Sequence, residues 1–214
     1  LILISSIFFI TDFITEISSR HRKRVIRCKA GEPCYGTEGN DIIIGTKYDD
    51  EVYGLKGRDK IIGRKGDDTI SGGDGRDKIL GNKGNDVLYG EGGNDKMVGG
   101  PGDDLMYAGL GDDKAVGGPG IDEIHGEDGR DKLVGCSGND YIEGGEGNDI
   151  LIGSRGNDTL IGGPGNDTLI GGWGADLLDG GEGYDICFVD ESDTYVSCEI
   201  VIPVELSHNK QEAK

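Results

Sequence analysis

Apolar residues recur along the middle of this chain every nine residues, a spacing that matches neither the 3.6-residue period of a helix nor the two-residue period of a strand. Each recurring residue is the centre of a short segment, and the six residues before that segment are rich in Gly, Asp and Asn. Three residues with a central apolar one suit a very short strand, and glycine-rich stretches suit turns. The pattern therefore predicts a repeated unit of six turn residues followed by three strand residues.

Seventeen consecutive units cover residues 36–188 without an insertion or a deletion. The first position of the unit is Gly except at Ala108, and the fourth position is Gly except at Tyr48. The eighth position is apolar and is least hydrophobic at Ala115 and Cys187. The sixth position is Asp in every unit: Asp41, Asp50, Asp59, Asp68, Asp77, Asp86, Asp95, Asp104, Asp113, Asp122, Asp131, Asp140, Asp149, Asp158, Asp167, Asp176 and Asp185.

A three-residue strand cannot bury its single inward side chain alone, so the units are expected to coil and stack. With two units per turn, the predicted fold is an all-β parallel β-solenoid of about eight and a half turns, with strands of successive turns about 4.8 Å apart. Each loop then lies over the loop two units later, which places Asp41 beside Asp59. The predicted domains are an N-terminal hydrophobic and basic segment with a cap at 1–35, the repeat coil at 36–188, and a C-terminal cap and polar tail at 189–214.

The net charge of the chain indicates which classes of partner it can bind. The 41 acidic and 22 basic residues give a net charge of −19, which disfavours nucleic acid or acidic lipid and favours soluble cations. Stacked carboxylates repel one another, and no basic residue accompanies them at every step, so a cation is expected between the loops. Oxygen-only ligands favour Ca²⁺ over Mg²⁺ or Zn²⁺. Pairing each loop with the loop two units on allows up to about 15 Ca²⁺ ions.

The units match the pattern GGxGxDxUx, for example in GNDTLIGGPGNDTLIGG at 156–172, and so the chain resembles the RTX (repeats-in-toxin) proteins, also called hemolysin-type calcium-binding repeat proteins. The resemblance implies a parallel β-roll, mostly found in secreted proteins. It also implies that the loops bind calcium through the seventeen sixth-position Asp residues and through backbone carbonyls such as those of Gly162, Pro164 and Asn166.

Four of the five cysteines lie at the two ends of the repeat region. Solenoid ends expose unpaired strands and core side chains, and disulfides are a common way to hold the caps in an oxidising compartment. We expect Cys28 to pair with Cys34 and Cys187 with Cys198. Free thiols or another pairing is the alternative, and Cys136 is left over in either case.

The N-terminal stretch LILISSIFFI is apolar enough for the centre of a secretion signal, but it is too short to span a bilayer. A basic cluster, RHRKR, follows at 20–24, and the C-terminal tail at 207–214 is short and polar. No stable transmembrane span is therefore expected.

A second period of 18 residues, one turn of the predicted coil, distinguishes odd-numbered units from even-numbered ones. The seventh position of successive odd units carries a lysine column: Lys60, Lys78, Lys96, Lys114 and Lys132. The ninth position of the odd units carries an aliphatic column that ends in an aromatic: Ile44, Ile62, Leu80, Val98, Val116, Val134, Ile152, Ile170 and Phe188. If the eighth residue points inward, both columns face outward on one flank, which predicts a surface for self-association or for an anionic cell-surface polymer. Ordinary solvent-facing sheet is the alternative.

No HExxH or GxSxG motif and no plausible Ser, His and Asp set occurs. The sequence therefore predicts a secreted, extracellular calcium-binding protein that is not an enzyme, folds on Ca²⁺ and serves a structural, surface or adhesive role. The alternative is the calcium-folded C-terminal repeat region of a larger secreted enzyme or toxin.

Overall fold

Parallel pairing between residues 18 apart organises the computed structural model, which describes residues 24–204. Strands of successive turns pair in register, for example Ile61 with Ile79, and two adjacent units complete one turn. The result is an all-β parallel β-solenoid of about ten turns with roughly 18 residues per turn, as the nine-residue period predicts. The predicted hydrophobic segment, most of the basic cluster and the polar tail lie outside the described residues.

The first sheet contains the strand residues of the odd units and has eleven strands. In spatial order these strands are β1 (Arg24–Arg27), β3 (Asp41–Ile44), β6 (Lys60–Lys65), β8 (Lys78–Lys83), β10 (Lys96–Val98), β12 (Lys114–Pro119), β14 (Lys132–Ser137), β16 (Ile150–Arg155), β18 (Thr168–Trp173), β20 (Ile186–Val189) and β22 (Ile200–Pro203).

The second sheet contains the strand residues of the even units and also has eleven strands. These are β2 (Cys34–Tyr35), β4 (Glu51–Tyr53), β7 (Thr69–Gly75), β9 (Val87–Gly92), β11 (Leu105–Leu110), β13 (Glu123–Asp128), β15 (Tyr141–Glu146), β17 (Thr159–Gly165), β19 (Leu177–Gly183) and β21 (Thr194–Val196), with the short β5 (Lys56–Gly57) paired to β7.

The strands are longer than the repeat predicted. The division into six turn residues and three strand residues is wrong, because thirteen of the 22 strands in residues 24–204 run for six or seven residues, as β8 does. The extra residues are the first three of the next unit, and they keep pairing across turns, as Arg64 pairs with Asn82. A glycine at the first position keeps the backbone close to the interior, so the ladder continues past the apolar residue.

The coil also has more turns than the eight and a half predicted. β1 and β2 precede the first unit, and β21 and β22 follow the last one, so non-repeat segments extend both sheets at both ends. These segments lack the nine-residue pattern, which is why the periodicity did not reveal them.

The core is a single file of eighth-position side chains. From Ile43 to Cys187 these residues are 0–1% exposed, and the small Ala115 is as buried as its larger neighbours. Disulfides close both ends as predicted: Cys28 with Cys34, and Cys187 with Cys198. Cys136 is a half-buried free thiol.

The outer columns also form as predicted. Lys60, Lys78, Lys96, Lys114 and Lys132 pair in register along the first sheet. The aliphatic column stands beside them, but its members are half-buried because each covers part of the next. Between residues 24 and 204 there is no helix long and apolar enough to cross a membrane.

Candidate calcium site

The seventeen sixth-position Asp residues line the inside of both loop edges. Each of them is 0–6% exposed, although carboxylates are rarely buried unless they are paired. The tight turn that precedes each Asp and the inward eighth residue that follows it turn the carboxylate toward the interior. The question for the site is therefore what balances these buried charges.

From Asp59 to Asp185, one oxygen of each sixth-position carboxylate is satisfied by the neighbouring turn. The Oδ1 atom of an Asp accepts a hydrogen bond from the backbone N–H of the Asp one turn earlier, as Asp131 does from Asp113 at 2.8 Å. Fifteen such bonds, between 2.5 and 2.9 Å long, run along the two loop edges. The predicted stacking of each loop on the loop two units later, including Asp41 on Asp59, is thus confirmed.

In every sixth-position Asp except Asp50, the other oxygen has no hydrogen-bond partner. Oδ2 is buried and unpaired in every sixth-position Asp from Asp59 to Asp185, and Oδ1 is the unpaired atom in Asp41. A buried carboxylate oxygen without a donor is costly, so a cation is the natural partner for this row of atoms.

A second oxygen lies beside several of the unpaired ones. A Cβ atom added to Gly144 would lie 2.5 Å from Asp149 Oδ2 and 2.5 Å from the carbonyl oxygen of Gly162 in the next turn. Gly72 has similar surroundings, with Asp77 Oδ2 at 2.8 Å and the Gly90 carbonyl oxygen at 3.0 Å. A carboxylate oxygen and a backbone carbonyl oxygen that face the same gap between turns are the kinds of ligand that Ca²⁺ takes in proteins, so the residues present fit a calcium ion.

Backbone oxygens must supply much of any such site. Among the described residues, no three His, Cys, Asp or Glu side chains converge on one point. Of the three carbonyl groups expected to contribute, that of Gly162 faces Asp149 Oδ2 across the space beside Gly144, while that of Pro164 accepts a hydrogen bond from Gly147 N–H at 2.9 Å. The third residue, Asn166, uses its side-chain oxygen to accept from Tyr184 N–H.

Burial makes the carboxylates hold protons more tightly. Desolvation, together with the Asp residues of the turns on either side, raises the pKa of Asp95 from 3.8 to about 7. The pKa of Asp104 rises to about 7 for the same reasons, and that of Asp113 to about 6. The hydrogen bond from the preceding turn lowers each pKa but does not offset burial. Near neutral pH, protons therefore compete with a cation for these carboxylates.

Non-repeat residues terminate the Asp ladder at its C-terminal end, and sequence reasoning missed them. At the C-terminal end, Asp193 and Glu199 accept the backbone N–H groups of Asp176 and Asp185, in place of further repeat Asp residues. The repeat pattern supplies no acceptor after Asp185. Only the position of Asp193 and Glu199 after the last unit could therefore have indicated that they accept these two N–H groups.

Threonines close the first two loops. Thr37 donates its N–H and its hydroxyl to Asp41, and Thr46 does the same for Asp50. Tyr48 occupies the fourth position of the second unit, where other units have Gly. Its backbone is not left-handed, so a side chain causes no backbone strain there.

A second ladder outside the first was also missed. Fifth-position Asn and Asp side chains accept the backbone N–H of the residue one turn later, as Asn139 does from Asn157 at 2.9 Å. This direction is opposite to that of the buried Asp ladder. The frequent Asn or Asp before the invariant Asp could have indicated this second ladder. The ladder has no side-chain acceptor of this kind where Arg58, Arg76 or Ile121 occupies the fifth position.

Comparison with known protein families gives one match. The RTX calcium-binding nonapeptide repeat matches at 35–70, 71–106, 80–115, 107–135, 116–151, 125–160 and 152–187, which together span the whole repeat coil. No curated protein matches the chain.

Proposed function

Because the chain belongs to the RTX calcium-binding nonapeptide repeat family, and its repeats form a calcium-binding β-roll, we propose that it is a non-catalytic extracellular protein that folds on Ca²⁺ and serves a structural or adhesive role at a surface. RTX repeats are typical of secreted proteins. The two disulfides at the ends of the coil also suit an oxidising compartment.

The observation that carries the proposal is the row of buried, unpaired Asp oxygens. We assign the seventeen sixth-position Asp residues as the ligands, together with carbonyl oxygens of the facing loops. A bound Ca²⁺ ion supplies the positive charge that lets carboxylates of successive turns lie close together. Their Oδ1 atoms fix the loop spacing, and their Oδ2 atoms face the space beside the first-position glycines. Up to about 15 ions would fit this arrangement.

Calcium would act as a compartment signal. Each unit buries only one apolar side chain, which is little compensation for ordering a glycine-rich segment. Ions that bind only the folded coil therefore drive folding. Extracellular calcium modules bind at about 10⁻⁴ to 10⁻³ M, so the chain would stay loose in calcium-poor cytosol and become rigid outside the cell.

A structural role accounts better than catalysis for the described side chains. His125 is the one histidine of residues 24–204, and both of its ring nitrogens are engaged, by Glu123 at 2.9 Å and by Glu143 at 3.0 Å. The outer columns repeat the same groups along the rod, which suits extended contact rather than chemistry at one point.

Circular dichroism of the full chain, in chelator and then in millimolar Ca²⁺, tests the proposal. We expect a mostly unfolded spectrum to become β-rich with calcium and to remain unfolded with the same concentration of Mg²⁺, which demands a stricter octahedral site. Mass analysis under native conditions would then count the bound ions. A spectrum that is the same with and without calcium would refute calcium-driven folding.

A further inference from the structure

The two sheets of the coil have opposite charges on their outer surfaces. The strands of the first sheet contain eleven basic residues, and their one acidic residue, Asp41, is buried: the basic residues are Arg24, Arg27, Lys60, Arg64, Lys65, Lys78, Lys83, Lys96, Lys114, Lys132 and Arg155. The strands of the second sheet contain ten acidic residues and one lysine, Lys56: the acidic residues are Glu51, Asp74, Glu91, Glu123, Glu127, Asp128, Glu143, Glu146, Asp179 and Glu182. A chain of net charge −19 thus has one basic flank.

The basic flank is not neutralised within the described part of the chain. The ion pairs between described residues join Lys29 to Glu32, Lys56 to Glu38, and His125 to two glutamates, and none of them involves the first sheet. The lysine column is therefore available for an acidic partner along its length.

An apolar groove of about 720 Å³ lies beside the lysine column on the first sheet. Ile62, Leu80 and Val98 form its floor, and Lys65 and Lys83 are among the residues of its wall. A partner for this surface needs acidic groups at its borders and apolar or aromatic groups at its centre.

The second sheet has those features. Tyr89, Tyr107 and His125 stack ring on ring along the rod, with centroids 5.4 and 4.9 Å apart. Tyr89 and Tyr107 line a cleft of about 310 Å³ with Glu91 and Glu127. A cleft with two carboxylates and two aromatic rings is suited to a lysine ammonium group, which gains both ion pairing and cation–π attraction.

We propose that the first sheet of one copy packs against the second sheet of another copy, with the lysine column entering the acidic and aromatic surface that Tyr89, Glu91, Tyr107 and Glu127 form. The lysine column recurs at every turn, and Tyr89, Tyr107 and His125 have the same 18-residue spacing, so the lysines and the rings match along the rod. Glu91 and Glu127 lie two turns apart, with Gly109 between them. The contact uses different surfaces on the two copies, so a pair of copies keeps one free first sheet and one free second sheet, and rows of rods grow side by side. This inference rests on the proposed function, because the columns exist only in the calcium-folded coil.

The test uses light scattering on the full chain in Ca²⁺ at low ionic strength. The mass of the parent should rise with concentration above the 22.6 kDa of one chain and should fall back at about 1 M salt, where charges are screened beyond about 3 Å. Two charge-reversal variants, Lys78→Glu with Lys96→Glu and Glu91→Lys with Glu127→Lys, should each remain monomeric at concentrations at which the parent is at least dimeric.

The decisive experiment is light scattering on a mixture of the two charge-reversal variants. Each supplies the surface that the other has lost, so the equimolar mixture should assemble again. Arg76→Glu with Arg130→Glu is the matched control: it makes the same charge change at exposed loop arginines between the sheets and should assemble as the parent does. Circular dichroism in Ca²⁺ must be the same for all variants, so that loss of assembly is not loss of folding.

The other outcomes separate the two proposals. A parent that does not become β-rich in Ca²⁺ contradicts the proposed function itself. A parent that folds but stays monomeric, or variants that assemble as the parent does, overturns the packing of first sheet on second sheet and leaves calcium folding intact. If the folded monomer is instead retained on immobilised polyuronate, and the Lys78→Glu, Lys96→Glu variant is not, the first sheet binds an anionic polymer and self-association is wrong.

Discussion

The first and second sheets are made from alternate copies of one nine-residue unit, yet only their inner residues are alike. Inside, both sheets contribute a fully buried eighth-position side chain and a buried Asp at every unit. Outside, one sheet carries lysines beside aliphatic residues, and the other carries glutamates beside tyrosines. The inner positions are fixed by the stacking of turns, whereas the outer positions are free to differ, and their difference indicates where this particular coil meets a partner.

Alanine substitutions at two adjacent glycines give the strongest test of the interior that the two sheets share. A Cβ on Gly93, where φ is +134°, would lie 1.3 Å from the carbonyl oxygen of Gly75, while a Cβ on the adjacent Gly92 would meet nothing closer than 3.8 Å. We expect Gly93→Ala to destabilise the calcium-loaded coil by about 3 kcal/mol or more, and Gly92→Ala to have little effect. Thermal unfolding in Ca²⁺ measures both.

The same substitution on the opposite loop edge tests whether the two edges are equivalent. A Cβ on Gly84 would lie 1.9 Å from the carbonyl oxygen of Gly66, so Gly84→Ala should be as damaging as Gly93→Ala. Tolerance of alanine at either position would show that turns are not held as closely as the structure indicates.

Removing one buried carboxylate should have the next largest effect. Asp113 and Asp104 belong to adjacent units on opposite edges, and each donates its backbone N–H to one neighbouring turn while its Oδ1 accepts from the other. Asp113→Ala and Asp104→Ala should each lower the number of bound ions by about two and shift the calcium titration to higher concentration. Asp128→Ala, which removes an exposed acid, is the control. Unchanged ion counts in native mass analysis would contradict the ligand assignment.

Acidification should affect both edges equally. In the folded metal-free coil the pKa of Asp95 and that of Asp104 are about 7, against 3.8 for the unperturbed group, so the folded state binds protons that the unfolded chain releases. The cost of burying these groups is absent below pH 3.8 and complete above about pH 7, so lowering the pH across this window stabilises the metal-free coil.

Calcium must displace those protons, so its affinity changes in the other direction. Lowering the pH from about 7.5 to about 6 should raise the calcium midpoint several-fold, and calcium addition near pH 6 should release protons. Calcium titrations followed by circular dichroism, with a pH-stat to count the protons, measure both effects. A midpoint independent of pH in this range would show that the buried carboxylates are already ionised without metal.

The smallest effect on stability is expected at the outer aliphatic column. Val98 and Val116 are half-buried on the first sheet, where threonine keeps the β-branched shape. Replacing both by Thr should change the free energy of unfolding in Ca²⁺ by less than about 1 kcal/mol and yet reduce the mass measured by light scattering. Val87→Thr on the second sheet is the matched single substitution outside the groove. If the double variant assembles as the parent does, the aliphatic column is ordinary solvent-facing sheet.

The features of this fold that could be predicted from the sequence are those whose residues recur in every unit or are cysteines that lie at the ends of the repeat region. The buried column from Ile43 to Cys187, the stacking of Asp41 on Asp59, and the two disulfides follow from period and position alone. Strand length did not, because pairing across turns overrides the turn preference of glycine at the first three positions.

The end residues could not be predicted by the same reasoning. Thr37 and Glu199 complete a ladder whose other members are identical, and their role comes from the absence of a further repeat unit. Likewise, the separation of charge between the sheets emerges only when the exact strand bounds are known, since Arg64 and Lys65 lie in positions that the sequence assigned to a turn.

Two units per turn also constrain how such a gene can change in length. A duplication or deletion of 18 codons adds or removes one turn and leaves every downstream residue on its original flank. A change of nine codons preserves the buried Asp and apolar positions but transfers every downstream outer residue to the opposite sheet, so the lysines would continue the row of glutamates. The buried positions are preserved by either change, whereas the outer positions are preserved only when an even number of units is added or removed. The lysine column from Lys60 to Lys132 is unbroken, which is the pattern that even-numbered changes preserve.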